Sequence, residues 1–192
     1  MNIYLLRHGE TEYTKIKRIQ GKSQVPLNEE GLNMAENAAN TIKKFRVSHI
    51  YCSNLKRAIQ TAEKVNSEWN LPINYDSRIN ERDYGLWEHK LWSDVFEENP
   101  TLNKTWEEEG TEFRPPKGES LNEVISRTLD FFKEIISKHK AEDDILIVCH
   151  GGPLKVILGY VKGLNKSDYY KQNFLNPCEL VAIKYNGGFQ IG

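Results

Sequence analysis

The chain is poor in the residues that staple small secreted or metal-bound domains. Its three cysteines are Cys52, Cys149 and Cys178. The odd count and the lack of any Cys-x-x-Cys exclude a disulfide framework and a zinc ribbon. Reduced thiols in a cytoplasmic protein are expected. Five histidines, His8, His49, His89, His139 and His150, show no His-x-x-x-His pairing, so their spacing offers no metal site. Excess charge is missing too: 26 basic and 27 acidic side chains leave a net charge of −1. No basic field or tail is present to hold nucleic acid, so any anion site must be local. No apolar run reaches the length of a membrane span. The first apolar run is only a strand long, which argues against a signal peptide. Neither an internal repeat nor a low-complexity linker occurs. What is present is the make-up of an ordinary soluble protein, 39% hydrophobic and 28% charged. At 192 residues it is long enough to bury a substantial core in one domain.

Hydrophobic periodicity sets out alternating strands and helices. Ile3-Tyr4-Leu5-Leu6 reads as a strand. A loop follows to about residue 30, and Asn28 is placed to cap the next segment. Helical spacing then runs from Leu32 to Phe45. Val47 to Cys52 reads as a second buried strand, with Ser53 as a helix cap before an amphipathic run from Leu55 to Val65. Leu71 to Tyr75 reads as a short strand. Residues 87–118 differ: they hold Trp87, Trp92, Trp106, Phe96 and Phe113, the acidic run 107–109 and Pro115-Pro116. This stretch reads as a cap insertion rather than a sheet layer. Ser120 and Glu123 form a capping-box pattern before the clearest helical periodicity, Leu121 to Ile136. Ile145 to Cys149 is continuously apolar, as a central strand covered on both faces requires. Pro153 suits the first turn of the helix that follows. The tail, Glu179 to Tyr185, alternates as a strand, and Asn186-Gly187-Gly188 turns it into an edge hairpin. The order predicts a three-layer α/β/α sandwich with a mostly parallel central sheet, an edge hairpin and a small helical cap.

Three of these strands end in polar groups. The first delivers Arg7 and His8, the second Ser53 and, one helical turn later, Arg57, and the third His150, Gly151 and Gly152. If the three strands are parallel and adjacent, these groups converge on one sheet edge, where open α/β sheets bind ligands. Helix N-termini aimed at the same spot favour an anion. Arginine beside histidine fits phosphate, which accepts forked donors and can be taken by a nucleophile. Each residue also has a structural alternative: His8 bonded to a carbonyl, Arg57 on an exposed helix face, His150 as a helix cap.

The segments Leu5 to Thr11, Ser53 to Ala62, Glu81 to Glu88, Gly118 to Leu121 and Val148 to Gly152 resemble, in order, the motifs of the histidine phosphatase superfamily, which includes the cofactor-dependent phosphoglycerate mutases. The resemblance spans residues 3 to about 160. It implies that His8 is the nucleophile and forms a phosphohistidine. It also implies that Arg7, Arg57 and His150 bind the transferred phosphoryl group, with Thr14 and Gly151, and that Glu81 protonates the leaving oxygen and then activates water. Gln20, Gly21, Arg82 and Tyr84 would contact the substrate, and no cofactor or metal is implied. The residues agree with this chemistry. A histidine nucleophile must be neutral at the attacking nitrogen, which flanking arginines promote, and its other nitrogen should be fixed by a backbone carbonyl. The chain departs from the pattern at Thr14, where the family often has asparagine, and at His89, where many phosphatase members have glycine. Glu81 has a structural alternative as a surface ion pair with Arg78 or Arg82. Cys149 is a poor rival nucleophile, because cysteine phosphatases use His-Cys-x5-Arg and this chain has Cys149-His150 with Lys155 six residues on.

Glu81-Arg82-Asp83-Tyr84-Gly85 also resembles the mutase branch. That branch carries a longer insertion with a lysine and an Arg-Arg pair, whereas the basic groups here are Lys90, Lys104, Arg114 and Lys117. Hydrolysis of a small phosphomonoester is therefore expected over isomerisation. The size and the segment from Pro115 to Ser120 resemble bacterial α-ribazole-phosphate phosphatases, which would tie the chain to cobalamin synthesis, and metal-independent phosphoserine phosphatases. A catalytically inactive binding module is the non-enzyme alternative. The expected partner is a small phosphomonoester, without nucleic acid or membrane, and the chain is expected as a monomer or homodimer.

Overall fold

The computed structural model describes residues 1–173 and 175–192. Six strands form one sheet in the order β3-β2-β4-β1-β5-β6. They are β1 (Asn2–Arg7), β2 (His49–Cys52), β3 (Ile73–Tyr75), β4 (Asp144–Cys149), β5 (Leu180–Tyr185) and β6 (Phe189–Ile191). β1 to β4 run parallel, and β5 and β6 are added antiparallel as the expected edge hairpin. The helices are α1 (Glu12–Lys15), α2 (Glu29–Ile42), α3 (Lys56–Asn66), α4 (Trp92–Glu98), α5 (Leu102–Glu109), α6 (Leu121–Lys138) and α7 (Gly151–Val161).

The central strand explains the layering. Ile145 and Ile147 face a cluster with Phe131, Phe132 and Ile135 of α6 and Leu154 and Ile157 of α7. Leu146 and Val148 face the opposite cluster, with Ala38, Ala39 and Ile42 of α2 and Ala58, Ala62 and Val65 of α3. Alternate side chains of one strand thus enter two separate cores, which is why its sequence is apolar at every position. A third, smaller cluster joins Ile19, Trp87, Val95, Leu102 and Phe113. It belongs to the cap stretch, where α4 and α5 lie.

Several boundaries differ from the sequence expectation, each for a local reason. The Asn28 side chain does accept from the Gly31 N–H, so α2 begins at Glu29, one turn before the apolar periodicity. It also ends at Ile42, and Phe45 lies beyond it, stacked on Tyr4 at 4.4 Å between ring centroids. The strand expected from Leu71 is confined to Ile73–Tyr75, because Leu71 is held instead by the Asn66 side chain. The capping box of Ser120 and Glu123 is formed as expected. Ser53 is not the N-cap of α3; that position is Leu55, and the Ser53 hydroxyl is committed elsewhere.

Candidate active site

Register brings the strand ends level. Arg7 pairs with Cys149, and Cys52 pairs with Val148. The next residue of each strand therefore emerges at the same sheet edge. His8 and His150 lie side by side with ring centroids 5.1 Å apart. Both are buried, as is Arg57 from the first turn of α3.

His8 is oriented and neutral. Its Nδ1 lies 2.7 Å from the Gly9 carbonyl oxygen. A carbonyl can only accept, so Nδ1 carries the proton and the lone pair is on Nε2. Burial holds the imidazole pKa well below its ordinary value, and the nearby Arg57 and Arg7 guanidiniums push in the same direction. A neutral imidazole with a fixed lone pair is what nucleophilic attack on phosphorus requires.

His150 is fixed by a chain the sequence did not reveal. The Asn54 N–H donates to Asn80 Oδ1 at 2.9 Å, which identifies that atom as an acceptor. The Ser53 hydroxyl, 2.8 Å from the same oxygen, must then donate to it. Having spent its proton, Ser53 Oγ accepts from His150 Nε2 at 2.7 Å. Burial, reinforced by Arg57, His8 and Arg7, holds the His150 pKa well down. Its Nδ1 is buried and finds no partner among the described residues. His150 does occupy the N-cap position of α7, but its side chain makes no capping bond and is turned to Ser53 instead.

Arg57 is not on an exposed helix face. Its guanidinium donates to the Gly21 carbonyl at 2.8 Å and the Ser23 carbonyl at 3.0 Å, leaving a buried Nε unpartnered among the described residues. Burial draws its pKa down to about 10, so it stays charged at neutral pH. Arg7 Nη1 donates to the Leu175 carbonyl at 2.5 Å. Gly21 thus acts as a brace for Arg57, at φ +52° and with its missing Cβ position filled by the Glu88 carboxylate. Gln20 and Thr14 belong to the same loop. Gln20 donates to the Thr14 hydroxyl and accepts from Thr11, at 3.0 and 2.9 Å. These contacts fasten the loop. His89 is exposed in a turn at φ +70°, a conformation glycine adopts most easily, and its ring stands against Tyr13 with 5.8 Å between centroids.

Glu81 approaches from the far side. Its Oε1 accepts from the Arg82 N–H at 2.9 Å and its Oε2 from the Gly152 N–H at 3.3 Å. The ion-pair alternative fails. Arg78 pairs with Asp76 and Glu134, and Arg82 donates to the carbonyls of Glu119 and Phe113. Arg127, unmarked in the sequence, donates to the carbonyls of Arg78, Asn80 and Glu81 and fixes the backbone beneath Glu81. A Cβ at Gly152 would lie 2.3 Å from Glu81 Oε1, so the carboxylate fits only against glycine. Gly151, at the start of α7, is buried beside it.

Beyond Glu81 a cavity of about 740 Å³ opens, walled by Tyr84, Trp92, Phe96 and Trp106 and bordered by Arg82, Lys155 and Tyr170. The cap aromatics therefore divide: Trp87 and Phe113 build the cap's core, and the other three, Trp92, Phe96 and Trp106, line the cavity with Tyr84. Arg82 Nη1 and Tyr170 Oη are buried there without partners among the described residues. Tyr170 and Lys155 had no sequence signal; the 3-10 turn Lys166–Lys171 packs against α7 and carries Tyr170 in. Burial lowers the Lys155 pKa to about 8, and its ammonium donates to the Tyr170 carbonyl at 3.0 Å. Buried polar atoms without partners are costly, and here Arg57 Nε, His150 Nδ1, Arg82 Nη1 and Tyr170 Oη all belong to site residues.

The family model of the histidine phosphatase superfamily, branch 1, matches residues 3–191. The chain belongs to this superfamily. Among similar histidine phosphatases, the phosphoserine phosphatase 1 of Hydrogenobacter thermophilus is 29% identical over 170 residues, covering 88% of this chain and 80% of that protein. A probable phosphoglycerate mutase, GpmB, of Proteus mirabilis is 31% identical over 186 residues, covering 96% and 85%. The solved structure of the α-ribazole phosphatase from Shigella flexneri matches with a TM-score of 0.90 at 25% identity, covering 100% of this chain and 95% of that one. The superfamily fold is thus present throughout, with the motif residues His8, Arg57, Glu81 and His150 gathered as described. Among the described residues no helix is long and apolar enough to cross a membrane.

Proposed function

We propose that the protein hydrolyses a small phosphomonoester through a phosphohistidine on His8. The observation that carries this is the fixed Nε2 lone pair of neutral His8, set beside the buried Arg57 and His150. Nε2 attacks phosphorus, and the bond from phosphorus to the alcohol oxygen breaks. Glu81 delivers a proton to that oxygen. Glu81 then takes a proton from water as the water attacks phosphohistidine, which releases phosphate and restores His8. Arg7 and Arg57 hold the phosphoryl oxygens, and the phosphoryl dianion draws a proton onto His150 Nδ1, which then donates to it. Such positioning and charge are most of what a loose phosphoryl-transfer transition state needs.

Two observations favour hydrolysis over isomerisation. Lys90, Lys104 and Arg114 are each paired with a glutamate, Glu98, Glu108 and Glu123 respectively, and so are occupied on the surface. The cavity beyond Glu81 is also larger and more aromatic than a glycerate needs. Its walls support a leaving alcohol with a planar apolar part, and α-ribazole 5′-phosphate has that form. Residues 87–118 act in this reading as a cap on one domain that supplies the site from a single chain, as monomer or homodimer. Three free cysteines agree with a reducing, cytoplasmic setting. Phosphoserine is the second reading, favoured by Lys155 at the cavity wall, which suits a carboxylate.

A panel of phosphomonoesters ranked by kcat/KM tests the assignment. α-Ribazole 5′-phosphate is expected above phosphoserine, and phosphate release above phosphoglycerate isomerisation. Turnover of p-nitrophenyl phosphate should vanish in His8→Ala. Full activity of that variant would overturn the mechanism, and faster isomerisation than hydrolysis would overturn the reaction class.

A further inference from the structure

A second cluster of ligand-type side chains lies at the amino ends of the parallel strands, away from the edge that carries His8. His49 opens β2, His139 follows the last residue of α6, and Asp143 immediately precedes β4. His139 and Asp143 are four residues apart, but His49 is distant from both, so histidine spacing alone does not show the cluster. One ligand atom from each, taken together, lies within 4.8 Å of the others. Asp143 Oδ2 is 3.2 Å from His139 Nδ1 and 3.8 Å from His49 Nε2.

We propose that His49, His139 and Asp143 form a binding site for a divalent cation of the zinc class. Nitrogen and oxygen ligands about 2.0–2.2 Å from a tetrahedral ion stand about 3.3 Å from one another. One pair already has that separation, and His49, the most exposed of the three, closes the rest with a side-chain shift of roughly 1 Å. The donor set, two imidazoles and one carboxylate, suits zinc better than calcium or magnesium, which prefer all-oxygen shells.

The surroundings hold these groups in place. The Tyr51 hydroxyl lies 2.8 Å from His139 Nε2. The Asp143 carboxylate can only accept, so without an ion Nδ1–H donates to it. Ion binding would release that proton, and the hydroxyl would then accept from Nε2–H, the usual second contact of a metal-bound histidine. Asp143 Oδ2 accepts from the Lys140 N–H at 2.9 Å, which fixes the carboxylate's rotamer. His49 is set by the register of β2, opposite Ile145. With three protein ligands and water in the fourth position, the ion would clasp the start of β2 to the turn between α6 and β4.

Calorimetric titration of zinc into the chelator-treated, dialysed protein tests the site. One zinc per chain is expected, with Tm raised by roughly 5–10 °C at a hundredfold excess over Kd. Cobalt in its place should give the visible absorption of a four-coordinate ion. His49→Ala and Asp143→Asn should each weaken binding by more than about tenfold and lose the Tm rise, while hydrolysis of p-nitrophenyl phosphate by the metal-free variants stays at the wild-type rate. His8→Ala should bind zinc as the wild type does. Failure of the wild type to bind zinc overturns the proposal. So does binding that survives in both His49→Ala and Asp143→Asn, or that is lost in His8→Ala, since the ion would then sit elsewhere.

Discussion

Replacing Gly152 by alanine is the sharpest test of the catalytic geometry. The added methyl would lie 2.3 Å from Glu81 Oε1 but 3.7 Å from Tyr170 Oη, so only the carboxylate is displaced. Ordinary contact starts near 3.4 Å, and Glu81 must therefore retreat by about 1 Å. It cannot retreat freely, because Arg82 N–H and Gly152 N–H hold its two oxygens. Misplacement of a catalytic group by about 1 Å typically costs on the order of a hundredfold in rate. Backbone propensity acts in the opposite direction. Gly152 lies in α7, where alanine is favoured over glycine by up to about 1 kcal/mol. Steady-state kinetics and thermal melts read the two effects separately. We expect kcat on an alkyl phosphomonoester to fall about a hundredfold while Tm holds or rises by a few degrees. The loss should be smaller on p-nitrophenyl phosphate, whose leaving group needs less protonation. A Gly152→Ala enzyme with wild-type kcat on alkyl substrates would refute the placement of Glu81. A large fall in Tm would show that the methyl meets a rigid neighbour instead.

Burial, then Arg57, holds His8 and His150 neutral well below the ordinary imidazole pKa. The unfolded chain therefore takes up protons as the pH falls below about 6.5, and stability present above that value is lost at about 1.4 kcal/mol per pH unit for each histidine. Urea melts at pH 6.5 and below check this: His150→Gln should flatten the slope, and an unchanged slope would contradict the neutral assignment. Ser53→Ala breaks the chain that fixes the His150 ring and should lower kcat/KM about tenfold to a hundredfold. Asn80→Leu should do the same, and the double variant should be little worse than either alone, as one chain requires; full additivity would mean separate roles. His89→Gly relieves a non-glycine residue at φ +70° and should raise stability by up to about 1 kcal/mol without changing kcat, with Tm and kinetics as the measurements.

Much of the architecture was legible because periodicity and punctuation coincide. Ile145 to Cys149, apolar at every position, could only be a strand covered on both faces, and Ser120 with Glu123 could only start a helix. The polar strand ends were visible for the same reason, since Arg7-His8, Ser53 and His150 each interrupt an apolar run. Gln20, Gly21 and Thr14 were visible as site candidates but not as braces, because their partners, Arg57 and Thr11, are set by how the loop folds back. A serine after a strand looks the same as a helix cap and as a link in a hydrogen-bond chain; the choice for Ser53 is made by Asn80, 27 residues away.

Sequence alone determined which residues could perform the chemistry, since a strand's length and polarity decide where its reactive groups emerge. Whether those groups meet was decided by the tertiary structure. The register of β1, β2 and β4 levels three strand ends, the hydrogen bonds of Gly9 and Ser53 choose the tautomers of two histidines, and α7 seats Glu81 against a residue without a side chain. The same holds for Tyr170, Lys155 and the cluster at His49, because contacts between distant segments leave no period or spacing in the chain.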